Sequence, residues 1–141
     1  MRHLRSVPGG LALVGWPPLL AATGILWLAP APLGAAGLAL ARLLPDGGGT
    51  FVLLVVGTAL ALSPAFSWIG WLIALPVVAA LLHRGWFGWL PAAATGATAG
   101  MIAAKVVGSD VAAGFGLVML ILLRGVLGLV RPAAFALPRA F

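Results

Sequence analysis

Residues 111–130, VAAGFGLVMLILLRGVLGLV, form an apolar run of twenty residues that contains one charged side chain, Arg124. About 20 apolar residues in a helix are needed to cross the hydrocarbon core of a bilayer. The rest of the chain has the same character, with 63% hydrophobic and 7% charged residues, whereas soluble domains carry roughly 25% charged residues. Eight basic and two acidic side chains cannot cover a globule of 141 residues in water. We therefore expect an all-α, polytopic transmembrane helical bundle that forms a single domain.

Prolines, glycines and charged residues divide the chain into six apolar segments, at 10–29, 33–44, 50–62, 67–82, 88–107 and 111–130. The breaks between them fall at PAP (30–32), PDGGG (45–49), SP (63–64), HRG (83–85) and SD (109–110). Segments 33–44 and 50–62 are too short to cross a bilayer comfortably. The pattern predicts four secure spans and one short helical hairpin, which either crosses with shielded ends or is re-entrant.

Basic residues collect on the cytoplasmic side of short loops in membrane proteins. With six crossings and a cytoplasmic N-terminus, seven of the eight basic residues fall on or near that side, and Lys105 falls on the other. The seven are Arg2, Arg5, Arg42, Arg84, Arg124, Arg131 and Arg139. Both termini are then cytoplasmic, and the first segment is an uncleaved helix because Pro17-Pro18 interrupts it. The bias toward Ala, Gly, Leu, Pro and Arg is typical of a GC-rich bacterial gene and indicates a bacterial inner membrane.

Short similarities suggest an inverted repeat of three segments per half, 10–62 and 67–130. LVGW at 13–16 resembles WIGW at 68–71, and Trp27 with Pro32 has the spacing of Trp86 with Pro91. Arg42 followed by Asp46 corresponds loosely to Lys105 followed by Asp110. An arrangement of this kind is found in many transporters.

A ridge of small residues recurs every four positions along segment 88–107, and it is typical of helix packing at close range. Its partner is either a helix of the same chain or one of another subunit. The ridge consists of Ala92, Gly96, Gly100, Ala104 and Gly108.

Polar groups that could line a binding site or pathway are few: the hydroxyls of Thr95 and Thr98, and the ionisable Arg42, Asp46, Lys105 and Asp110. Each also has a structural interpretation. Threonine in a membrane helix bonds back to the carbonyl one turn earlier, the long cations reach the headgroups, Asp110 caps a helix, and Asp46 belongs to a turn or to the tip of a re-entrant loop. The six tryptophans are expected to form interfacial belts.

The chain contains no Cys, Glu, Asn, Gln or Tyr, and its two histidines have no ligand companions nearby. We expect no metal, no cofactor and no catalytic site. Nucleic acid is not expected as a partner, because the basic residues are scattered. Two classes of function agree with the sequence. One is a small transporter or channel for a neutral or anionic solute, acting as a homo-oligomer. The alternative is a non-catalytic subunit that stabilises or assembles a larger membrane complex, with lipid and other membrane subunits as its partners.

Overall fold

The structure, a computed structural model, describes residues 5–45, 47–108 and 111–135. These residues form helices and connecting turns, with no strand among them. The helices are α1 (Gly10–Val14), α2 (Trp16–Leu28), α3 (Pro30–Ala41), α4 (Gly48–Arg84), α5 (Trp89–Val107) and α6 (Val111–Val130), followed by a 3-10 turn, Pro132–Ala134.

Four helical stretches of the described chain are long and apolar enough to cross a membrane. They are Trp16–Ala41 with 26 residues, Gly48–Arg84 with 37, and Trp89–Val107 and Ala112–Val130 with 19 each. The all-helical character expected from the sequence is confirmed, with four helices long and apolar enough to span a membrane, whereas the division into six segments is not. The two short segments of the expected hairpin are each continuous with a neighbouring helix.

The expected break at Ser63-Pro64 is wrong, because α4 runs through both residues. Pro64 has no N–H to donate to the carbonyl of Leu60, one turn earlier. The hydroxyl of Ser63 donates to that carbonyl instead, at 2.8 Å. The polar group that the proline would leave without a partner is thus satisfied inside the helix, and the helix continues.

At Pro30-Ala31-Pro32 the chain passes from α2 into α3 without reversing its direction. Ala29, the one residue between α2 and α3, has right-handed helical angles of φ −57° and ψ −34°. Pro30 and Pro32 occupy the first turn of α3, where a missing N–H costs little. The sequence correctly placed a helix boundary there, but the two helices together form one stretch that is long and apolar enough to cross a membrane.

Three separate parts of the chain meet at one end of the molecule. The amide of Ser6 donates to the carbonyl of Gly85, that of Val7 to Ala134, and that of Gly9 to His83, each at 2.9 Å. We call residues 5–10, 82–88 and 131–135 the junction end. The two ends of the described chain therefore lie together.

The turn between α3 and α4 lies at the other end of the molecule, since α4 separates it from the junction end. Arg42 and Arg84 consequently lie at opposite ends of α4. The expectation that they share a membrane face required a chain reversal at residues 63–64, and α4 has none. The boundary between the two supposed repeat halves also falls inside α4, so the inverted repeat gains no support.

Two antiparallel pairs of helices, α3 with α4 and α5 with α6, are joined through the second half of α4. The side chains that are completely buried lie mostly near the junction end, where α1, α2, α4 and α6 converge. They include Val14, Leu19, Val78, Leu82, Phe87, Leu123 and Leu127.

Candidate functional site

The α3–α4 pair extends past the end of the α5–α6 pair. Gly70 of α4 lies against Ala99 and Ala103 of α5, with an added Cβ 3.9 Å from the carbonyl oxygen of Ala99 and 3.8 Å from the Cβ of Ala103. Because the two helices are antiparallel and α5 ends at Val107, the end of α5 lies near residue 66 of α4. The first part of α4, Gly48 to Ser63, therefore has no α5 beside it and reaches about 24 Å further.

We call residues 30–63 the apolar hairpin. Its two helices approach closely at Gly34, where an added Cβ would collide with the backbone of Gly57 and Ala61. Outside this contact its surface is apolar, and ten of its large hydrophobic side chains are exposed. They are Leu33, Leu40, Leu43, Leu44, Phe51, Val52, Leu54, Val55, Val56 and Leu62.

Prolines from both helices lie at the base of the apolar hairpin. The indole Nε1 of Trp27, at the end of α2, donates to the carbonyl of Pro64 at 3.1 Å. Pro30 and Pro32 follow within five residues of Trp27 in the chain. The hairpin thus joins the bundle at the level of prolines in both α3 and α4. A proline has no backbone N–H to donate, and helices bend most readily at such positions.

The small-residue ridge of α5 packs against α6 of the same chain. An added Cβ on Gly96 would lie 2.4 Å from the carbonyl oxygen of Gly116, and one on Gly100 would lie 2.6 Å from that of Ala112. Ala92 is fully buried and Ala104 is half-buried. Gly108 is exposed and ends α5 with a left-handed φ of 73°, so it serves as a cap rather than as part of the contact. The matching surface on α6, Ala112 and Gly116, was not singled out from the sequence, although its four-residue spacing is the same signal.

A small cavity of about 20 Å³ lies between α4, α5 and α6. It has room for about one water molecule. Its polar lining group is Ser67, whose Oγ is buried without a hydrogen-bond partner in the described chain, as is Oγ1 of Thr23 in α2. Thr23 and Ser67 each lie one turn from the Trp27–Pro64 hydrogen bond, and therefore at the same depth in the bundle.

The four pathway residues that the structure describes, of the six expected from the sequence, do not form one site. The hydroxyl of Thr98 is exposed and donates to the carbonyl of Ala94 at 2.9 Å, while Thr95 is half-buried. Arg42 and Lys105 are both exposed, the first in the α3–α4 turn and the second in the last turn of α5. Asp46 and Asp110 lie outside the described residues.

Arg124 is a charged residue of α6, and it is buried, with 8% of its surface exposed. Its guanidinium carbon lies 3.7 Å from the centre of the Phe135 ring and 5.0 Å from that of Trp89. The sequence predicts Arg124 only as one of the basic residues on or near the cytoplasmic side. Its contact with Phe135 depends on the turn after α6, which hydrophobic patterning does not reveal.

These features define the class of protein: an all-helical chain with four helices long and apolar enough to cross a membrane. Comparison of the chain with protein-family models, with curated proteins and with solved structures found no match in any of the three.

Proposed function

We propose that this chain is a non-catalytic membrane subunit that packs its apolar hairpin, residues 30–63, against another membrane protein. The observation that carries this proposal is the extension of the hairpin past the α5–α6 pair together with its exposed apolar surface. Large exposed apolar patches are typical of interaction sites or lipid contact.

The length of α4 indicates why lipid alone does not bury the apolar surface of the hairpin well. The 37 residues of α4 are about 55 Å long, whereas the hydrocarbon core is about 30 Å thick. The helices α5 and α6, with 19 and 20 residues, match one bilayer. When they span it, the hairpin either bends at its prolines into the bilayer or extends beyond it, and in both cases a protein partner offers close packing for its faces.

The interior of the described bundle also favours a subunit over a carrier. The α5–α6 contact is backbone against backbone at Gly96 and Gly116. The cavity beside it has room for about one water. Such packing suits a rigid structural element better than an internal solute site.

Photocrosslinking in native membranes tests the proposal. A photoreactive amino acid replaces Phe51 or Val55 on the hairpin, with Leu72 and Leu129, which are also highly exposed, as matched controls. We expect one discrete protein adduct from the hairpin positions, at near-stoichiometric yield, and none from the controls. Lipid adducts alone at all four positions would contradict the proposal.

A second candidate, a transporter or channel for a small neutral or anionic solute, is favoured by one observation. The buried hydroxyls of Thr23 and Ser67 lie at one depth without partners in the described chain, as expected for part of a polar path completed by a second copy. A hairpin adduct that contains only another copy of this chain would favour this candidate. Flux in proteoliposomes should then fall in Ser67→Ala and persist in Thr98→Ala, whose hydroxyl is exposed.

We also propose that the junction end faces the cytoplasm of a bacterial inner membrane. Arg5, Arg84 and Arg131 lie at or beside this end and are exposed, in agreement with the positive-inside rule. The chain has no Cys, so single cysteines report cleanly. An impermeant maleimide added to intact spheroplasts should label Leu43→Cys and should label Ala133→Cys only after lysis. The reverse pattern would invert the orientation.

A further inference from the structure

We propose that a groove at the junction end, built around Arg124, binds a phosphate-type oxyanion, namely the headgroup of an acidic phospholipid. The groove has a volume of about 430 Å³. It is lined by Trp89, Arg124, Gly125, Gly128, Leu129 and Phe135.

The two aromatic rings hold the guanidinium in place. Phe135 and Trp89 lie 3.7 and 5.0 Å from its central carbon, measured to the ring centres. Both rings present their faces to the cation. The N–H donors project from the edge of the guanidinium plane, in a fork that matches phosphate and carboxylate oxygens.

The chain leaves this cation without a carboxylate among the residues that the structure describes. Nε of Arg124 is buried and has no hydrogen-bond partner within residues 5–45, 47–108 and 111–135. The two acidic residues of the sequence, Asp46 and Asp110, lie outside the described residues. A buried guanidinium in a membrane helix requires charged or polar partners, and an external oxyanion would supply them.

Two glycines of α6 provide the space in front of Arg124. An added Cβ on Gly128 would lie 2.7 Å from Nη1 of Arg124, whereas one on Gly125 would have an ordinary contact, 3.7 Å, with the ring of Trp89. Gly128 is therefore the position at which even one methyl group displaces the guanidinium. Because that guanidinium is the far end of a flexible side chain, the fold can accommodate the change.

The surroundings of the groove favour a lipid over a free anion. Leu129 and the two rings offer apolar surface beside the charge, as a headgroup with attached acyl chains requires. Exposed Arg131 lies at the same end of the molecule, and basic sites between helices on the cytoplasmic side are typical of acidic lipid binding.

The experiment measures lipid binding to the detergent-purified full chain by native mass spectrometry and by thermal unfolding. Phosphatidylglycerol, phosphatidylcholine and inorganic phosphate are titrated separately. We expect phosphatidylglycerol to bind at least tenfold more tightly than phosphatidylcholine and to raise Tm, and inorganic phosphate to have no effect at equal concentration. If inorganic phosphate raises Tm equally and this effect requires Arg124, the groove is still an oxyanion site, but its ligand is a free anion rather than a lipid.

Four variants separate the groove from general electrostatics. Arg124→Met should abolish the preference for phosphatidylglycerol, and Gly128→Ala should weaken it several-fold. Gly114→Ala, on the same helix but outside the groove, should retain it, as should Arg42→Met, which removes the same charge from an exposed site at the opposite end of the molecule. The proposal would be overturned if the wild type showed no preference for phosphatidylglycerol. It would also be overturned if Gly128→Ala and Arg124→Met both kept the preference of the wild type. If Arg124→Met does not fold, the comparison of Gly128→Ala with Gly114→Ala decides alone.

Discussion

The indole nitrogen of Trp27 donates a hydrogen bond to the carbonyl oxygen of Pro64, 37 positions further along the chain, at 3.1 Å. This bond fixes the register between the first two long helical stretches at the base of the apolar hairpin. It also places the prolines of α3 and α4 at one level. The hairpin is thus joined to the bundle through a specific polar contact between two otherwise apolar helices.

Replacing Trp27 with Phe should remove this bond while retaining an aromatic ring. Hydrogen bonds between membrane helices contribute about 0.6 kcal/mol on average, so we expect a loss of roughly 0.5–1.5 kcal/mol of unfolding free energy. Titration with a denaturing detergent, followed by far-UV circular dichroism, measures the loss. Trp16→Phe, at an exposed position, is the control, and equal losses in both variants would contradict a specific role for the bond.

Gly96→Ala should destabilise the α5–α6 pair. The added Cβ would lie 2.4 Å from the carbonyl oxygen of Gly116, and a backbone atom cannot move aside without separating the helices. We expect a loss of about 1–3 kcal/mol, as for other overpacked contacts. Gly114→Ala on α6, where an added Cβ meets nothing within 4 Å, should be neutral or slightly stabilising. The same unfolding titration compares the two variants, and similar stabilities would refute the close contact.

Ser63 and Pro64 should show energetic coupling. In the wild type, Ser63→Ala leaves the carbonyl of Leu60 without its donor and should cost about 1 kcal/mol. In a Pro64→Ala background, the new N–H of residue 64 can donate to the same carbonyl, so Ser63→Ala should cost less. A double-mutant cycle measures this difference. Additive effects would show that the hydroxyl does not replace the missing amide.

Ser6→Ala should loosen the junction end. The hydroxyl of Ser6 accepts from the buried amide of Phe87 at 3.1 Å, and a buried donor without a partner costs about 1–3 kcal/mol. Hydrogen exchange should become faster at Phe87 and remain unchanged at Thr98, which is distant from this contact. Unaltered protection at Phe87 would show that another acceptor replaces Ser6.

Hydrophobic patterning correctly identified the helices but not where they join. The segments 50–62 and 67–82 were predicted separately because proline normally interrupts a helix. Helix α4 continues through Pro64 because the hydroxyl of Ser63 donates to the carbonyl of Leu60 in place of the missing amide. Patterning treats serine and proline together as a signal for a turn, so it could not anticipate this compensation.

The candidate site was predicted only in part. The ridge of Gly96 and Gly100 was visible in the sequence, but its partner surface at Gly116 required the antiparallel register of α5 and α6. The setting of Arg124 depends on Trp89 and Phe135, which are 35 residues before and 11 residues after it. Such contacts carry no periodic signal, because they arise where separate helix ends converge.

Composition alone determined that this chain is helical and suited to lipid, because so few charged groups cannot solvate its surface and a backbone in hydrocarbon must satisfy its own hydrogen bonds. Tertiary structure decided that there are four long helices, that the hairpin extends beyond the α5–α6 pair, and that Arg124 lies between two rings. These features depend on contacts between residues distant in sequence, and local hydrophobicity is nearly the same whether those contacts form or not.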